Sequence, residues 1–158
     1  MELPTVLERR WQELRRLESR IEEATERALR AHHGISASEY AALAALAYSD
    51  DGGHLRQQVL AEEIPLSESS VTRLVARLEK TGLTERYLCE TDRRGVYTQI
   101  TARGRSLVEE ARATLLAALA DALDAAEDAV AETAPGGYED VGPVLAYLRD
   151  ERREGGGR

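Results

Sequence analysis

The segment from residue 67 to residue 82 carries apolar side chains at a strict helical spacing. Four of them lie at positions i, i+3, i+4 and i+7 and predict one buried face of a helix; they are Val71, Leu74, Val75 and Leu78. Ser67 is a suitable N-cap, and Gly82 ends the helix. A shorter helix is predicted just before it, over residues 55–63, with Pro65 in the turn. The helix-turn-helix pattern that results constrains the fold more than any other feature of the chain.

The opposite face of the second helix combines small, hydroxyl-bearing and basic side chains. These residues are Ser69, Thr72, Arg73, Ala76, Arg77 and Lys80. Small side chains let a helix enter the major groove of DNA, hydroxyl groups reach bases or phosphates, and Arg can bind guanine through two hydrogen bonds. Ser67 and Ser70 add hydroxyl groups at the helix start, where Ser67 is primarily a cap. The face predicts a DNA recognition helix, with simple surface pairing of Arg73 and Arg77 to Glu79 or other acids as the alternative.

A basic turn follows the predicted recognition helix. Two short strands, over residues 83–90 and 95–101, flank a polar turn that contains Asp92, Arg93 and Arg94. A basic tip beside a recognition helix can enter the minor groove and contact phosphates. The pattern predicts a β-hairpin wing, and the alternative is that both arginines are ordinary solvated turn residues.

The net charge of the chain is −8, which by itself argues against a nucleic-acid partner. The charge is unevenly distributed, however. Residues 67–105 carry eight basic and five acidic side chains, a local charge of +3, whereas residues 1–66 and 106–158 carry −4 and −7. Because local charge decides where a phosphate backbone docks, we expect the central segment to bind double-stranded DNA.

Long helices are predicted on both sides of the central segment. An apolar stripe predicts a helix over residues 5–30, and a stripe rich in Ala predicts another over residues 102–133, followed by a last helix over 139–150. Aromatic residues make up 4% of the chain and Phe is absent, which favours a helical core of Leu, Val, Ile and Ala. No apolar run approaches the roughly 18 residues of a membrane span, and the first residues lack the apolar centre of a signal peptide. We therefore expect a cytoplasmic protein that does not bind membranes.

The sequence SESSVTRLVARLEKTGLTER at residues 67–86 is followed by TDRRGVYTQITARGRSLVEEA at residues 91–111. Together these stretches resemble the MarR (multiple antibiotic resistance regulator) family, and the resemblance covers about residues 36–110. It implies a homodimer, paired through its terminal helices, that binds pseudo-palindromic operators. It also implies that Arg73 and Arg77 lie on the recognition helix and Arg94 at the wing tip, with Asp92 bracing the wing arginine through a charge-assisted pair.

We therefore expect a mainly α fold with a small β-hairpin wing. The expected domains are an N-terminal dimerisation helix (1–33), a winged helix-turn-helix DNA-binding lobe (34–103), C-terminal dimerisation helices (104–150) and a flexible tail (151–158). The predicted function is a DNA-binding transcription regulator, specifically a ligand-responsive repressor. The alternative is a winged-helix module for protein interaction or dimerisation that does not bind DNA.

Many members of the family lose DNA affinity when a small phenolic or anionic compound binds between the dimer helices and the DNA-reading lobe. Trp11, Tyr40 and Tyr48 are the candidate ligand-binding residues here. The alternative for Trp11 is a place in the dimer core.

The remaining reactive side chains match no known catalytic or metal-binding pattern. Adjacent His32 and His33 point to different faces of a helix with no Cys near them, so no zinc site is expected. Cys89 has no second Cys as a resolving partner, and we interpret it as a small apolar strand residue rather than a redox switch. Because the chain also lacks a Walker loop, a GxSxG elbow and an HExxH helix, we expect neither a cofactor nor enzymatic activity.

Overall fold

The structure is a computed structural model that describes residues 5–88, 95–132 and 142–149. The helices are α1 (Val6–His33), α2 (Ala37–Ala47), α3 (Gln57–Glu63), α4 (Glu68–Lys80), α5 (Ala102–Glu132) and α6 (Gly142–Arg149), and the strands are β1 (His54–Arg56), β2 (Thr84–Tyr87) and β3 (Tyr97–Ile100). The predicted fold class, mainly α with a small antiparallel β-sheet, is confirmed. Across these ranges, no helix has both the length and the apolar character needed to cross a membrane.

The ends of the helices are set by local sequence signals. Gly34 follows α1 with a φ of +69°, a left-handed conformation that costs Gly little because it has no Cβ. Ser36 begins α2 as the first residue of a capping box, in which its hydroxyl oxygen accepts the N–H of Glu39 at 3.0 Å. Ser67 caps α4 and accepts the N–H of Ser70, and Gly82 ends that helix with a φ of +73°. The predicted boundaries of the recognition helix are therefore confirmed.

The sheet is three-stranded, with the order β1-β3-β2 and antiparallel pairing throughout. The hairpin strands β2 and β3 were predicted, but β1 was not. The sequence predicts a helix from Leu55, whereas Leu55 and Arg56 extend to pair with Thr98 and Tyr97 of β3. The error arises because a strand of three residues is too short to show an alternation, and its pairing partner lies about 40 residues further along the chain.

The larger hydrophobic core is formed mainly by aliphatic side chains from α1 to α5 and from the sheet. Its α4 members are the four residues of the predicted apolar face: Val71, Leu74, Val75 and Leu78. Each is about 1% exposed, so the helical period read from the sequence is confirmed. Leu29, Leu43, Leu46 and Leu60 are fully buried in the same cluster. Burying a side chain of this size contributes about 1.5–3 kcal/mol, so this face of α4 stays in the core. The opposite face is therefore the one that remains accessible to a partner.

The start of α5 is anchored to the end of the recognition helix. The hydroxyl oxygen of Thr101 accepts the N–H of Gly104 at 3.1 Å, which caps the start of α5. The same hydroxyl donates to the carbonyl oxygen of Gly82 at 2.8 Å. Gly104 approaches the chain so closely that a Cβ placed on it would lie 2.3 Å from the carbonyl oxygen of Leu83. Thr101 and Gly104 therefore hold the start of α5 in close contact with the residues that follow α4.

The chain divides into two compact units. One unit is Glu26–Leu115, and the other combines the described residues before Glu26 with those after Leu115. The second unit has its own small core, in which Leu17 of α1 packs with Leu123 and Ala126 of α5 and Leu145 of α6. The predicted tail, 151–158, lies outside the described residues.

Candidate nucleic-acid interface

The exposed face of α4 has the composition that the sequence predicts. Ser69, Thr72, Arg73 and Arg77 are all exposed, and Ser70 is half-buried at the helix start. These side chains share one face because the helix buries the apolar residues on the other. The face therefore presents hydroxyl groups toward its N-terminal end and guanidinium groups further along, each available to a ligand that approaches from solvent.

The hydroxyl groups at the start of α4 bond to one another and to the helix backbone. The Ser67 hydroxyl lies 2.9 Å from the Ser70 oxygen and 3.2 Å from the Ser69 oxygen. The Thr72 hydroxyl donates to the carbonyl oxygen of Glu68 at 3.0 Å. In the free protein these hydroxyl groups already bond to one another or to the backbone, so donating to a base or a phosphate requires the hydroxyl hydrogen to be redirected.

The two arginines of α4 have different surroundings. Arg77 pairs with an acidic partner on another helix, since its Nε atom lies 3.4 Å from Oε1 of Glu39 at the start of α2. Across the described ranges, no acidic side chain lies within ion-pair distance of Arg73. Glu79, the partner considered from the sequence, instead lies 3.7 Å from Nε of Arg86 on β2. Within the described residues, therefore, Arg73 has no acidic partner, whereas the guanidinium of Arg77 is paired with the carboxylate of Glu39.

The described part of the wing carries an aromatic and basic cluster on the outer face of the sheet. The rings of His54 and Tyr87 lie 4.1 Å apart between centroids, and Tyr97 lies 6.0 Å from His54. Arg56 donates from Nε to the Tyr97 hydroxyl at 3.2 Å. Arg56 was not predicted as a site residue, because the sequence places it in a helix as one exposed charge. Its position beside Tyr97 follows from the pairing of β1 with β3.

The predicted wing tip lies outside the described residues. This applies to Asp92, Arg93 and Arg94, and also to Cys89. The strands that lead to the tip are described, and their register pairs Thr84 with Ile100. The wing tip therefore remains a predicted contact surface.

The three candidate effector residues differ in their positions. Tyr40 is buried in the lobe, and this burial, together with the nearby Tyr48 hydroxyl, raises its pKa despite the opposing effect of Arg112. Tyr48 is exposed and lines an open cavity of about 570 Å³ beside Ala44 and Leu55. Trp11 belongs to the other unit and is 57% exposed. Tyr48 therefore lies at the wall of a cavity that is open to solvent.

Glu39, like Arg56, was not predicted from the sequence as a residue of this interface. It occupies the third position of α2, where one carboxylate oxygen accepts the backbone N–H of Ser36 at 2.9 Å and the other faces Arg77. The Ser-x-x-Glu spacing at residues 36–39 signals the capping box. No comparable signal links Glu39 to Arg77, which lies 38 residues further along the chain.

A helix-turn-helix followed by a two-stranded hairpin, with a third strand closing the sheet, defines the winged-helix class. A sequence model of the MarR family matches residues 33–95, which span α2 through the recognition helix and into the wing. A comparison with curated protein sequences finds no match.

Solved structures of MarR regulators share this fold. A MarR family transcriptional regulator from Rhodococcus sp. RHA1 is 30% identical, with 75% of this chain and 82% of that chain covered and a TM-score of 0.61. Sco3205 from Streptomyces coelicolor, a MarR family regulator solved in complex with DNA, is 23% identical over 94% and 89% of the two chains, with a TM-score of 0.70. BpsR from Bordetella bronchiseptica, whose DNA binding is regulated by 6-hydroxynicotinic acid, is 18% identical over 99% and 100%, with a TM-score of 0.69. The chain belongs to the MarR family of transcriptional regulators.

Proposed function

We propose that this protein is a DNA-binding transcription regulator that reads duplex DNA with the exposed face of α4. The observation that carries the proposal is the arrangement of Ser69, Thr72, Arg73 and Arg77 on the one face of α4 that the core leaves free. Arginine forks recognise guanine in the major groove, and hydroxyl groups bind phosphates or bases. Family membership supports the same function.

The wing supplies the second contact in this proposal. Arg93 and Arg94 at its tip would bind phosphates or the flanking minor groove, and Asp92 would hold one guanidinium in place. Ser67 and Ser70 would add phosphate contacts at the helix N-terminus, where the helix dipole favours an anion. The net negative charge of the chain comes from residues 1–66 and 106–158, whereas residues 67–105 carry a net charge of +3, which favours this contact.

We further propose a homodimer paired through the terminal helices, residues 1–33 and 104–150, around the lobe at residues 34–103. The support is an exposed apolar stripe on α1, where Leu7 is 77% exposed and Trp11 is 57% exposed. Large apolar side chains that protrude in a row are unfavourable in water and mark an association surface. A twofold dimer would place its two recognition helices on half-sites about one helical turn of DNA apart.

Selection from a pool of random duplexes tests this function. The wild-type protein is expected to enrich two related half-sites in inverted orientation, with centres about 10 base pairs apart. The control is Arg27→Ala, which removes an exposed arginine of α1 and should enrich the same site. If the wild-type protein enriches no sequence and retains no duplex, a protein-interaction module without DNA binding is the better reading.

For the effector we propose a neutral phenolic compound that binds beside Tyr48 and relieves repression. Asp50, Asp51 and Glu63 line that cavity, and none of its described lining residues is basic, so an anion is disfavoured there. Thermal-shift measurements with neutral phenols and with benzoate-type anions test this. Neutral phenols should raise the melting temperature of the wild type but not of Tyr48→Ala. Stabilisation by the anions alone would overturn the proposal.

A further inference from the structure

The carboxylate of Glu39 is unusually well fixed for an acidic side chain at the surface of the DNA-reading lobe. Its Oε2 atom accepts the N–H of Ser36 at 2.9 Å, while the Ser36 hydroxyl accepts the N–H of Glu39 at 3.0 Å. The side chain of Glu39 is only 17% exposed. Because the reciprocal capping bonds hold the carboxylate, its second oxygen, Oε1, points in one direction, and Arg77 lies in that direction.

The contact with Glu39 uses one specific edge of the Arg77 guanidinium. The pair joins Oε1 to Nε at 3.4 Å. A guanidinium is planar and has five N–H donors in a rigid fork, so a bond at Nε orients the whole group. Among the described residues no acceptor bonds to the two terminal nitrogens, and the Arg77 side chain is 59% exposed. Those nitrogens form the end-on fork that matches the O6 and N7 acceptors of guanine.

We propose that Glu39 is a positioning residue that makes Arg77 a guanine-specific reader, while Arg73 serves as a general phosphate contact. This inference rests on the proposed function. It assigns different roles to two arginines that the sequence pattern places on the same exposed helix face without distinguishing them. Preorganising a flexible side chain lowers the entropy lost on binding. The affinity gain is therefore largest for guanine, whose O6 and N7 atoms match the orientation in which the guanidinium is held. Arg73, with no acidic side chain within ion-pair distance across the described ranges, is free to follow the phosphate backbone.

The same carboxylate also acts against binding to the wrong sequence. A negative charge near the DNA repels phosphates wherever Arg77 does not form its base contact. Specificity is a difference between two affinities, and weakening the competitor increases it. Glu39 should therefore lower affinity for non-specific duplex while it raises discrimination at one base pair. A role limited to capping α2 would not produce effects of opposite sign.

The variant Glu39→Gln separates the two roles of Glu39. A Gln at this position can still accept the Ser36 N–H and preserve the capping box, but it carries no charge to hold Arg77. The experiment selects binding sites from random duplexes with the wild type, measures affinity by fluorescence anisotropy for the best site and for single-base variants of it, and repeats this with Glu39→Gln. Melting temperature is recorded for each protein. Glu79→Gln is the matched control, since it removes a carboxylate of α4 whose partner is Arg86 rather than Arg77.

Glu39→Gln is expected to reduce discrimination at one guanine about five- to tenfold and to raise affinity for non-specific duplex about two- to fivefold at low salt. The melting temperature should remain that of the wild type, and Glu79→Gln should leave discrimination unchanged. Arg77→Lys keeps the positive charge but lacks the planar guanidinium, so it should lose the same discrimination. Because this variant leaves the capping box of α2 intact, the loss cannot be attributed to the cap. The double variant Glu39→Gln/Arg77→Lys should then discriminate no less than Arg77→Lys alone.

The outcomes separate this inference from the proposed function. If the wild type binds a selected site but Glu39→Gln or Arg77→Lys retains full discrimination at every position, the positioning role is wrong and the regulator remains. A parallel fall in melting temperature and in both affinities would assign Glu39 to capping alone and would also overturn the inference. If the wild type binds no duplex at all, the proposed function fails, and this inference fails with it.

Discussion

Arg105 of α5 donates from Nη1 to the carbonyl oxygen of Ala47, the last residue of α2, at 3.1 Å. Its Nη2 atom donates to the carbonyl oxygen of Gly52 in the following turn at 3.0 Å. A guanidinium at a helix C-terminus satisfies carbonyl groups that have no partner within the helix. One side chain therefore joins α5 to the end of α2 and to the turn before β1.

Arg105→Ala should destabilise the lobe by about 1–3 kcal/mol, because it removes two hydrogen bonds from a charged donor. Chemical denaturation followed by circular dichroism measures the change. Arg27→Ala, which removes an exposed arginine of α1, is the control and should alter stability by less than about 0.5 kcal/mol. Equal stability of Arg105→Ala and the wild type would mean that the two bonds contribute nothing.

Gly104→Ala should destabilise the protein by about 1–3 kcal/mol or more through overpacking. The added Cβ would lie 2.3 Å from the Leu83 carbonyl oxygen and 2.7 Å from Cγ1 of Ile100, and backbone cannot move aside as a flexible side chain can. Thermal unfolding checks this expectation. Gly142→Ala is the matched control, because a Cβ there meets no atom within 4 Å and the change should be neutral or slightly stabilising.

Glu26 should make stability depend on pH. Burial would raise its pKa, but the hydrogen bond from the Ala37 N–H at 2.7 Å and the pair with Arg30 outweigh burial and hold the pKa below its ordinary value of 4.5. A lowered pKa in the folded state means that the stabilisation is present above the unfolded pKa and is lost as pH falls through the folded one.

Glu26→Gln should therefore cost about 1 kcal/mol at pH 7, a figure reduced for solvent screening since the side chain is 39% exposed. The difference between variant and wild type should shrink below pH 4.5 as the wild-type carboxylate takes up a proton. Urea denaturation at a series of pH values measures it, with Glu23→Gln on the exposed face of α1 as the control. A difference that stays constant down to pH 2 would contradict the assignment.

Trp11→Glu should convert the proposed dimer to a monomer at micromolar concentration. The substitution places a charge in the exposed apolar stripe of α1, where desolvation on association is costly. Sedimentation velocity distinguishes the two states. Gln12→Glu adds the same charge one residue away, off the stripe, and should leave the dimer intact. If the wild type is itself a monomer, the dimer proposal is wrong.

Those features of the fold that depend on local spacing could be predicted from the sequence. The apolar period of α4, the Ser67 cap and the Gly82 stop act within a few residues of one another, and each is confirmed. β1 could not be predicted, because a three-residue strand shows no alternation and depends on pairing with β3. The Glu39–Arg77 pair could not be predicted for the same kind of reason, since it depends on how α2 packs beside α4.

In the candidate site, too, features set by local spacing could be predicted, whereas features that depend on packing between elements could not. Helical periodicity predicted which face of α4 carries Arg73 and Arg77, since burial of the opposite face decides it. The different surroundings of the two arginines come from other elements of the fold, which a single-helix pattern does not contain. Tyr48 shows the same limit, because helical spacing could not indicate that its side chain lines a cavity.

The central claim is that the exposed face of α4 binds duplex DNA. Its most direct test is the salt dependence of affinity for a selected duplex, measured by fluorescence anisotropy with the wild type, Arg73→Ala and the control Arg27→Ala. Each neutralised phosphate adds about 0.9 to the slope of log affinity against log salt concentration. The slope should be steep for the wild type, unchanged in Arg27→Ala and smaller by about 0.9 in Arg73→Ala. Identical slopes and affinities for all three proteins would contradict it.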